Sequence, residues 1–228
     1  MKSIIVATRN RHKVGEIARI LGDGFRFQSL LDYPSAPTVV EDASTFEGNA
    51  VKKAMELVRW LTGRLPEDRS AGIDYVIADD SGLEVDALGG APGVRSARFA
   101  AEESGGNSPD AENNAKLLRL LGDLPPQKRT ARFRCALAFA PVVGRTVSAS
   151  PVCLMDESEL RLQVFAGVCE GRIATAPTGA GGFGYDPLFV PAGFQESFAE
   201  LGEDVKNAVS HRALALAKLR DWLGSELG

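Results

Sequence analysis

Two adjacent aspartates, Asp79 and Asp80, have the clearest potential for metal chemistry in this sequence. They follow the apolar residues 76–78 and precede Ser81 and a glycine. The pattern predicts a buried strand that ends at the two acids, at the edge where open α/β sheets usually hold ligands. Mg²⁺ prefers such oxygen ligands and usually combines one or two carboxylates with substrate phosphates. An exposed, capped loop is the commoner explanation of an isolated Asp-Asp-Ser-Gly segment, so the interpretation depends on the rest of the chain.

A second polar segment follows the first predicted strand. Residues 4–7 are apolar and the first three are β-branched, and apolar residues recur at helical spacing over residues 14–21. Thr8, Asn10 and Lys13 therefore lie on a strand-to-helix turn. The free N–H groups of a helix start, together with a hydroxyl, an amide and an ammonium group, would suit a phosphate. The same residues also fit a capped helix with a surface lysine.

A further acid precedes the second predicted helix. Glu41 follows two valines, and residues 45–61 repeat apolar side chains at helical spacing. Asn49 and Lys53 are four positions apart, so they share one face of this helix. That face therefore carries an amide and an ammonium group.

Residues 178–187 form a glycine-rich segment with an aromatic and acidic centre. Its glycines formally satisfy GxGxxG, but no β-branched strand precedes them and a proline follows, which argues against a dinucleotide-binding turn. The segment presents Phe183, Tyr185 and Asp186, which could stack on a purine and accept hydrogen bonds from its edge. The alternative is a structural turn with Phe183 in the core.

The last helix begins with cations. Ser210 is a natural N-cap, which places His211 and Arg212 at the helix start, shortly after Lys206. Positive charge there opposes the helix dipole. These side chains are therefore expected to face an anion or a ligand rich in acceptors.

Composition excludes several classes of protein. The hydrophobic share of 44% and the charged share of 25% are those of an ordinary globular protein, and a net charge of −4 argues against a broad nucleic-acid surface. The three cysteines (Cys135, Cys153 and Cys169) lack metal-ligand spacing and are expected to be reduced. No apolar run reaches the roughly 18 residues of a membrane span, and no signal peptide is evident. We expect a cytoplasmic protein without membrane or nucleic-acid partners.

The order of the predicted elements indicates an α/β fold in one domain or two small lobes. Strands are predicted at residues 4–7 and 25–29, and a helix at residues 109–121. Residues 130–140 alternate most clearly, a turn at Gly144 leads into a further strand at 145–154, and alternation returns at 160–168. The later part therefore predicts a meander of antiparallel strands.

Five blocks of sequence together resemble the inosine triphosphate pyrophosphatase family. The blocks are residues 8–13, 45–50, 78–93, 182–187, and Lys206 with 210–212. The long central block is the specific one, and the set spans nearly the whole chain. The resemblance implies hydrolysis of ITP, dITP and XTP to monophosphate and pyrophosphate, which would cleanse the nucleotide pool. It also implies a single domain over residues 1–228 with two lobes, a long central mixed β-sheet flanked by helices, an active site in the cleft between the lobes, Mg²⁺ as cofactor, and a homodimer.

The resemblance also assigns roles residue by residue. Asp80 would be the proton acceptor, and Glu41 and Asp80 the metal ligands. The substrate-binding residues would be Thr8, Arg9, Asn10, Lys13 and Lys53 for the triphosphate, Ser81, and Phe183, Gly184, Tyr185, Asp186, Lys206, His211 and Arg212 for the base. Donors from His211 or Arg212 would favour a 6-oxo purine over adenine, whereas the means of refusing guanine is not evident.

The sequence departs from the family pattern at three places. Arg9 stands where the family usually has glycine, and its side chain could add a phosphate contact. Gly48 replaces a common glutamate, which puts a metal role for that position in doubt and leaves Glu47 as a substitute. The segments at residues 62–72 and 142–159 are longer than is usual in the family. Two alternatives stay open: a nucleotide sensor without catalysis, and a pyrophosphatase for modified pyrimidine nucleotides.

Overall fold

The computed structural model describes residues 1–64, 72–101, 106–142 and 161–227. Within these ranges the chain forms six β-strands and five α-helices. The strands are β1 (Lys2–Val6), β2 (Phe25–Ser29), β3 (Tyr75–Val85), β4 (Thr130–Pro141), β5 (Gln163–Ile173) and β6 (Phe189–Pro191), and the helices are α1 (Arg11–Leu21), α2 (Phe46–Arg64), α3 (Asp110–Leu121), α4 (Phe198–Val209) and α5 (His211–Leu227). Cys153, the predicted strand at 145–154 and most of the two long segments lie outside the described residues.

The strands form one mixed sheet in the order β2-β1-β3-β4-β5-β6. β1 pairs in parallel with both β2 and β3, whereas β5 and β6 are antiparallel. Ile4, Ile5 and Val6 of β1 are completely buried, as expected for a parallel strand covered on both faces. The predicted α/β fold with a central mixed sheet is confirmed.

Local capping explains where several helices begin and end. Asn10 accepts hydrogen bonds from two N–H groups of the first turn of α1, and Gly22 ends that helix with a φ of +76°. Ser197 and Glu200 form a capping box at the start of α4. Sequence periodicity did not predict α4, because Gly202 interrupts it with a non-helical φ of +79°.

β3 is longer than predicted. The strand was expected to end at Asp79 and Asp80, but it continues to Val85 and holds both acids in its interior. The two residues are only 2% and 5% exposed. They can be buried because lysines from other elements, Lys13 and Lys53, pair with them.

The chain divides into two compact units, each with its own apolar core. Unit 1 comprises Met1–Asp80, Ala136–Phe165 and Lys218–Gly228, and unit 2 comprises Ser81–Cys135 and Ala166–Ala217. In unit 1, Tyr75 stacks on Phe139 with ring centroids 4.7 Å apart. In unit 2, Phe133, Phe189 and Phe198 belong to one buried cluster. No helix in the described part of the chain has the length and apolar character to cross a membrane.

Candidate functional site

The middle of β3 carries the charged centre of unit 1. Successive strand residues point to opposite faces, so Asp79 and Asp80 meet different neighbours. The ammonium group of Lys13, from α1, forms a salt bridge with Oδ1 of Asp79. Lys53, from α2, donates to Oδ1 of Asp80 at 2.9 Å and to the carbonyl oxygen of Asp79 at 2.8 Å. Two helices therefore each bring one lysine to the adjacent acids.

Asn49 and Glu41 complete this centre. Asn49 donates from Nδ2 to Oδ2 of Asp80 at 3.2 Å, and its Oδ1 accepts from the N–H of Ala43 at 2.9 Å. Oε1 of Glu41 lies 3.3 Å from Nζ of Lys53. The shared helix face of Asn49 and Lys53 thus holds the Asp80 carboxylate, a role of Asn49 that the sequence analysis missed although the four-residue spacing pointed to it. We call the six residues the acid–lysine cluster: Lys13, Glu41, Asn49, Lys53, Asp79 and Asp80.

Burial and charge set the protonation of this cluster. Burial raises the pKa of Asp80 to about 6, and the charge of Glu41 adds to that rise while Lys53 and Lys13 oppose it. Burial lowers the pKa of Lys53, but the charges of Asp80 and Glu41 outweigh burial and leave the pKa above its ordinary value. The surroundings of Asp80 therefore stabilise its negative charge incompletely. Such a carboxylate is suited to accepting a proton or to binding a cation.

The same cluster contains the oxygen ligands that a hard cation prefers. Among the described residues, no group of three or more His, Cys, Asp or Glu side chains is arranged to hold a metal ion unaided. Mg²⁺ held by one or two carboxylates and by substrate phosphates does not need such a group. Nζ of Lys53 lies 3.3 Å from Glu41 and 2.9 Å from Asp80, so these two carboxylates lie near one point. They are the carboxylates that could share one cation.

Thr8 and Asn10 lie on the turn between β1 and α1 as the sequence predicted, whereas Lys13 lies in the first turn of α1. Oδ1 of Asn10 accepts from the N–H groups of His12 and Lys13 at 2.9 and 3.4 Å, and Oγ1 of Thr8 accepts from the N–H of Asn10 at 3.1 Å. These backbone donors are thus engaged within the turn. A phosphate bound here would share or replace these hydrogen bonds.

Arg9 lies in the same turn and has a different contact from the predicted one. Its Nη2 donates to the carbonyl oxygen of Ala36 at 3.1 Å. The guanidinium group therefore connects the turn to the loop around residues 33–37. The sequence analysis had instead suggested that Arg9 adds a phosphate contact.

The glycine-rich segment 178–187, which we call the glycine loop, is organised by a buried ion pair in unit 2. Nζ of Lys206 lies 2.6 Å from Oδ2 of Asp186, and the two side chains are 6% and 3% exposed. The same Oδ2 accepts from the N–H of Phe183 at 2.9 Å. Nζ of Lys206 also lies 4.3 Å from the centre of the Phe183 ring, within the range of a cation–π interaction. Phe183, Asp186 and Lys206 thus meet as predicted from the sequence.

Tyr185 differs from this group because its side chain lies in the hydrophobic core. The residue is 4% exposed, and its hydroxyl donates to the carbonyl oxygen of Ser96 at 2.9 Å. Burial raises the pKa of the tyrosine well above its ordinary value. The structure therefore gives Tyr185 the role of an anchor for the glycine loop, whereas the sequence placed it in a base pocket.

The start of α5 brings His211 against the unit 2 core. Oγ of Ser210 accepts an N–H of the first turn, as predicted for an N-cap. The His211 ring stacks on Phe133 with centroids 4.7 Å apart and an interplanar angle of 14°. One face of the imidazole is therefore covered, and only an edge or the other face could meet a ligand.

Arg212 links the start of α5 to β3 and to the glycine loop. The residue is 1% exposed, and its Nη2 lies 3.4 Å from Oγ of Ser81. Its Cζ lies 5.9 Å from the centre of the Phe183 ring, which Lys206 also approaches. The predicted residues Ser81, Phe183, Lys206 and Arg212 are thus brought together within unit 2.

Gly167 of β5 sets how closely the start of α5 approaches the sheet. A Cβ atom at this position would lie 2.0 Å from the carbonyl oxygen of His211 and 2.7 Å from the backbone nitrogen of Ala215.

We expect Gly167→Ala to destabilise the protein by about 1–3 kcal/mol, as overpacking normally does. Urea unfolding measures this change. Gly15→Ala in α1 is the matched control, because its new methyl group would meet nothing within 4 Å; equal stability of the two variants would contradict the prediction.

Comparison with known proteins finds relatives of this chain in both sequence and structure. A sequence model of the Ham1 family matches residues 4–222. A dITP/XTP pyrophosphatase from Geobacillus kaustophilus is 47% identical over 220 residues, which cover 96% of this chain and 93% of that protein. A HAM1 protein from Coxiella burnetii is 34% identical, with a TM-score of 0.76 over 99% of this chain and 100% of that one. A nucleoside-triphosphatase/dITP/XTP pyrophosphatase from Mycobacterium abscessus is 40% identical, with a TM-score of 0.66 over 95% and 98% of the two chains.

These similarities confirm the family that the five sequence blocks indicated. The match extends from β1 into α5 and therefore includes both the acid–lysine cluster and the glycine loop. The chain belongs to the Ham1 family.

Proposed function

We propose that this protein hydrolyses dITP, ITP and XTP to the nucleoside monophosphate and pyrophosphate and so cleanses the nucleotide pool. The observation that carries the proposal is the Asp80 carboxylate, which is buried, has a pKa raised to about 6, and is held between Lys53 and Asn49. The names of the relatives from Geobacillus kaustophilus and Mycobacterium abscessus support the same substrate class.

The acid–lysine cluster provides the groups needed for the chemical step. Asp80 would accept a proton from the water that attacks the α-phosphorus, since a carboxylate with a raised pKa accepts protons near neutral pH. Lys13 and Lys53 would neutralise negative charge that develops on the leaving pyrophosphate. Glu41 and Asp80 fit Mg²⁺ as oxygen ligands, and the ion when bound would polarise the phosphate oxygens.

The glycine loop and the start of α5 provide the groups for recognising the base. Hypoxanthine and xanthine carry a 6-oxo acceptor where adenine carries an amino group. The guanidinium group of Arg212 is a donor-only group, so it would favour the 6-oxo purines. Phe183 would stack on the base with the ring face that Lys206 leaves available.

Arg212→Ala is expected to raise KM for ITP by about 10- to 100-fold, the usual effect of removing a hydrogen bond from a charged donor. The preference for ITP over ATP should narrow, because ATP gains nothing from this donor. Steady-state kinetics with both substrates measures the change. Arg119→Ala, on the exposed face of α3, is the control. An unchanged ITP:ATP ratio in Arg212→Ala would show that Arg212 does not read the base.

A pyrophosphate-release assay with Mg²⁺ over ITP, XTP, dITP, GTP, ATP and dUTP tests the proposed function. We expect the first three substrates to have the highest kcat/KM. In water enriched in oxygen-18, the label should enter the monophosphate, because attack at the α-phosphorus adds the water oxygen there. A preference for dUTP would instead support the pyrimidine alternative, and tight binding without turnover would support a sensor. The predicted homodimer and cytoplasmic location stay predictions.

A further inference from the structure

Gly184, in the middle of the glycine loop, has both of its backbone polar groups held by one helix. Its N–H donates to Oδ2 of Asp110 at 2.7 Å, and its carbonyl oxygen accepts from Nδ2 of Asn114 at 3.0 Å. Asp110 and Asn114 are four residues apart in α3, so they lie one turn apart on the same face. The two side chains therefore form a clamp on one residue of the loop.

The clamped residue lies between the two aromatic residues of the loop. Gly184 has a φ of +65°, a conformation that favours glycine. On one side, the Tyr185 hydroxyl is fixed to the Ser96 carbonyl oxygen in the core. On the other side, the Phe183 ring is the group that Lys206 and Arg212 approach. The clamp and the tyrosine anchor thus determine together where the Phe183 ring is presented.

We propose that Asp110 and Asn114 are positioning residues that set the affinity for the purine part of the substrate, acting through Gly184 on Phe183. This inference rests on the proposed function. A recognition group held rigidly in its binding position loses less conformational entropy when the ligand binds. The clamp therefore lowers KM for a substrate that carries a base, and it has no direct effect on groups that bind only phosphate.

Two variants remove the two halves of the clamp separately. Asp110→Ala removes the acceptor for the Gly184 N–H, and Asp110→Asn keeps an acceptor while removing the charge. Asn114→Ala removes the donor to the carbonyl oxygen. Oδ1 of Asn114 is a buried acceptor without a hydrogen-bond partner among the described residues. The Asn114→Ala variant should therefore lose little stability. Glu112→Ala is the matched control, since Glu112, like Asp110, is an exposed acid in the first turn of α3, whereas the hydrogen bonds to Gly184 come from Asp110 and Asn114.

The readout is KM and kcat for ITP beside the inhibition constant of inorganic tripolyphosphate, which has no base. We expect Asp110→Ala and Asn114→Ala each to raise KM for ITP about three- to tenfold, the usual effect of one lost hydrogen bond. The kcat and the tripolyphosphate inhibition constant should stay within about twofold of wild type, which is a smaller change than the loss of one hydrogen bond causes. Asp110→Asn should recover most of the loss, and Glu112→Ala should behave as wild type.

Three results would overturn the inference while the wild-type enzyme stays active. They are an unchanged KM for ITP in both alanine variants, an equal weakening of tripolyphosphate binding, and an equal effect of Glu112→Ala. Each would reduce Asp110 and Asn114 to structural residues of the α3 helix. A wild-type protein without activity on any purine triphosphate would instead overturn the proposed function, and the clamp's role in substrate binding with it.

Discussion

Asp80→Asn is expected to lose at least about 100-fold in kcat for ITP when Mg²⁺ is saturating. A positioned general base normally contributes about 10²–10⁴-fold, and an amide cannot accept the proton from water. The substitution keeps the shape of the side chain, and the amide oxygen can still accept from Lys53. The amide nitrogen of the variant is a donor and cannot accept from Nδ2 of Asn49, so one buried hydrogen bond is lost. The fold should be kept with a modest loss of stability.

Asp42→Asn is the matched control for this variant. Asp42 is an exposed acid that follows Glu41 and pairs with Lys52 at 2.6 Å. The control should keep wild-type kcat and KM in the pyrophosphate-release assay. Thermal unfolding and circular dichroism of both variants separate a loss of catalysis from a loss of fold. Near-wild-type kcat in a folded Asp80→Asn protein would remove Asp80 from the role of base.

Asp186→Asn is expected to destabilise the protein by about 3–5 kcal/mol, because it leaves the buried ammonium group of Lys206 without its counter-charge. The Lys206–Asp186 pair is almost fully buried, so water cannot compensate for the lost partner. Lys206→Met should also destabilise, since it removes the positive charge beside the buried Asp186 carboxylate. Urea unfolding with a check for constant m-values measures both changes.

The double variant and a surface pair make this prediction specific. Asp186→Asn combined with Lys206→Met removes both charges, so it should be more stable than the sum of the two single changes predicts. The Lys52–Asp42 pair has the same 2.6 Å separation as the Lys206–Asp186 pair but lies at the surface. Asp42→Asn should therefore leave stability almost unchanged. Strict additivity in the double variant, or equal losses for the buried and the surface pair, would contradict the argument.

The features predictable from the sequence were those with a local cause. The helix that became α1 was found from the apolar spacing over residues 14–21, and the structure extends it back to Arg11, with Asn10 and Gly22 as its caps. The strand at residues 25–29 matches β2 because alternation determines which side chains point to the same face. Ser210 likewise predicted the start of α5.

The features that could not be predicted depend on contacts between distant parts of the chain. β3 continues through Asp79 and Asp80 because Lys13 and Lys53, remote in sequence, make burial of the two acids tolerable. Local pattern alone favours ending a strand at such acids. The burial of Tyr185 in the glycine loop also depends on a distant residue: the carbonyl oxygen of Ser96, 89 positions away, accepts a hydrogen bond from the Tyr185 hydroxyl.

The position of Asp80 within a strand has a consequence for the energetics of turnover. β3 lies between β1 and β4 in the sheet; its pairing with β1 covers Tyr75–Ile77, and Lys53 donates to the carbonyl oxygen of Asp79 at 2.8 Å. In the proposed mechanism, a carboxylate on such a strand would be preorganised, and little reorganisation energy would be spent in bringing it to the attacking water. We therefore expect the motions that accompany substrate binding and product release to involve other elements more than β3.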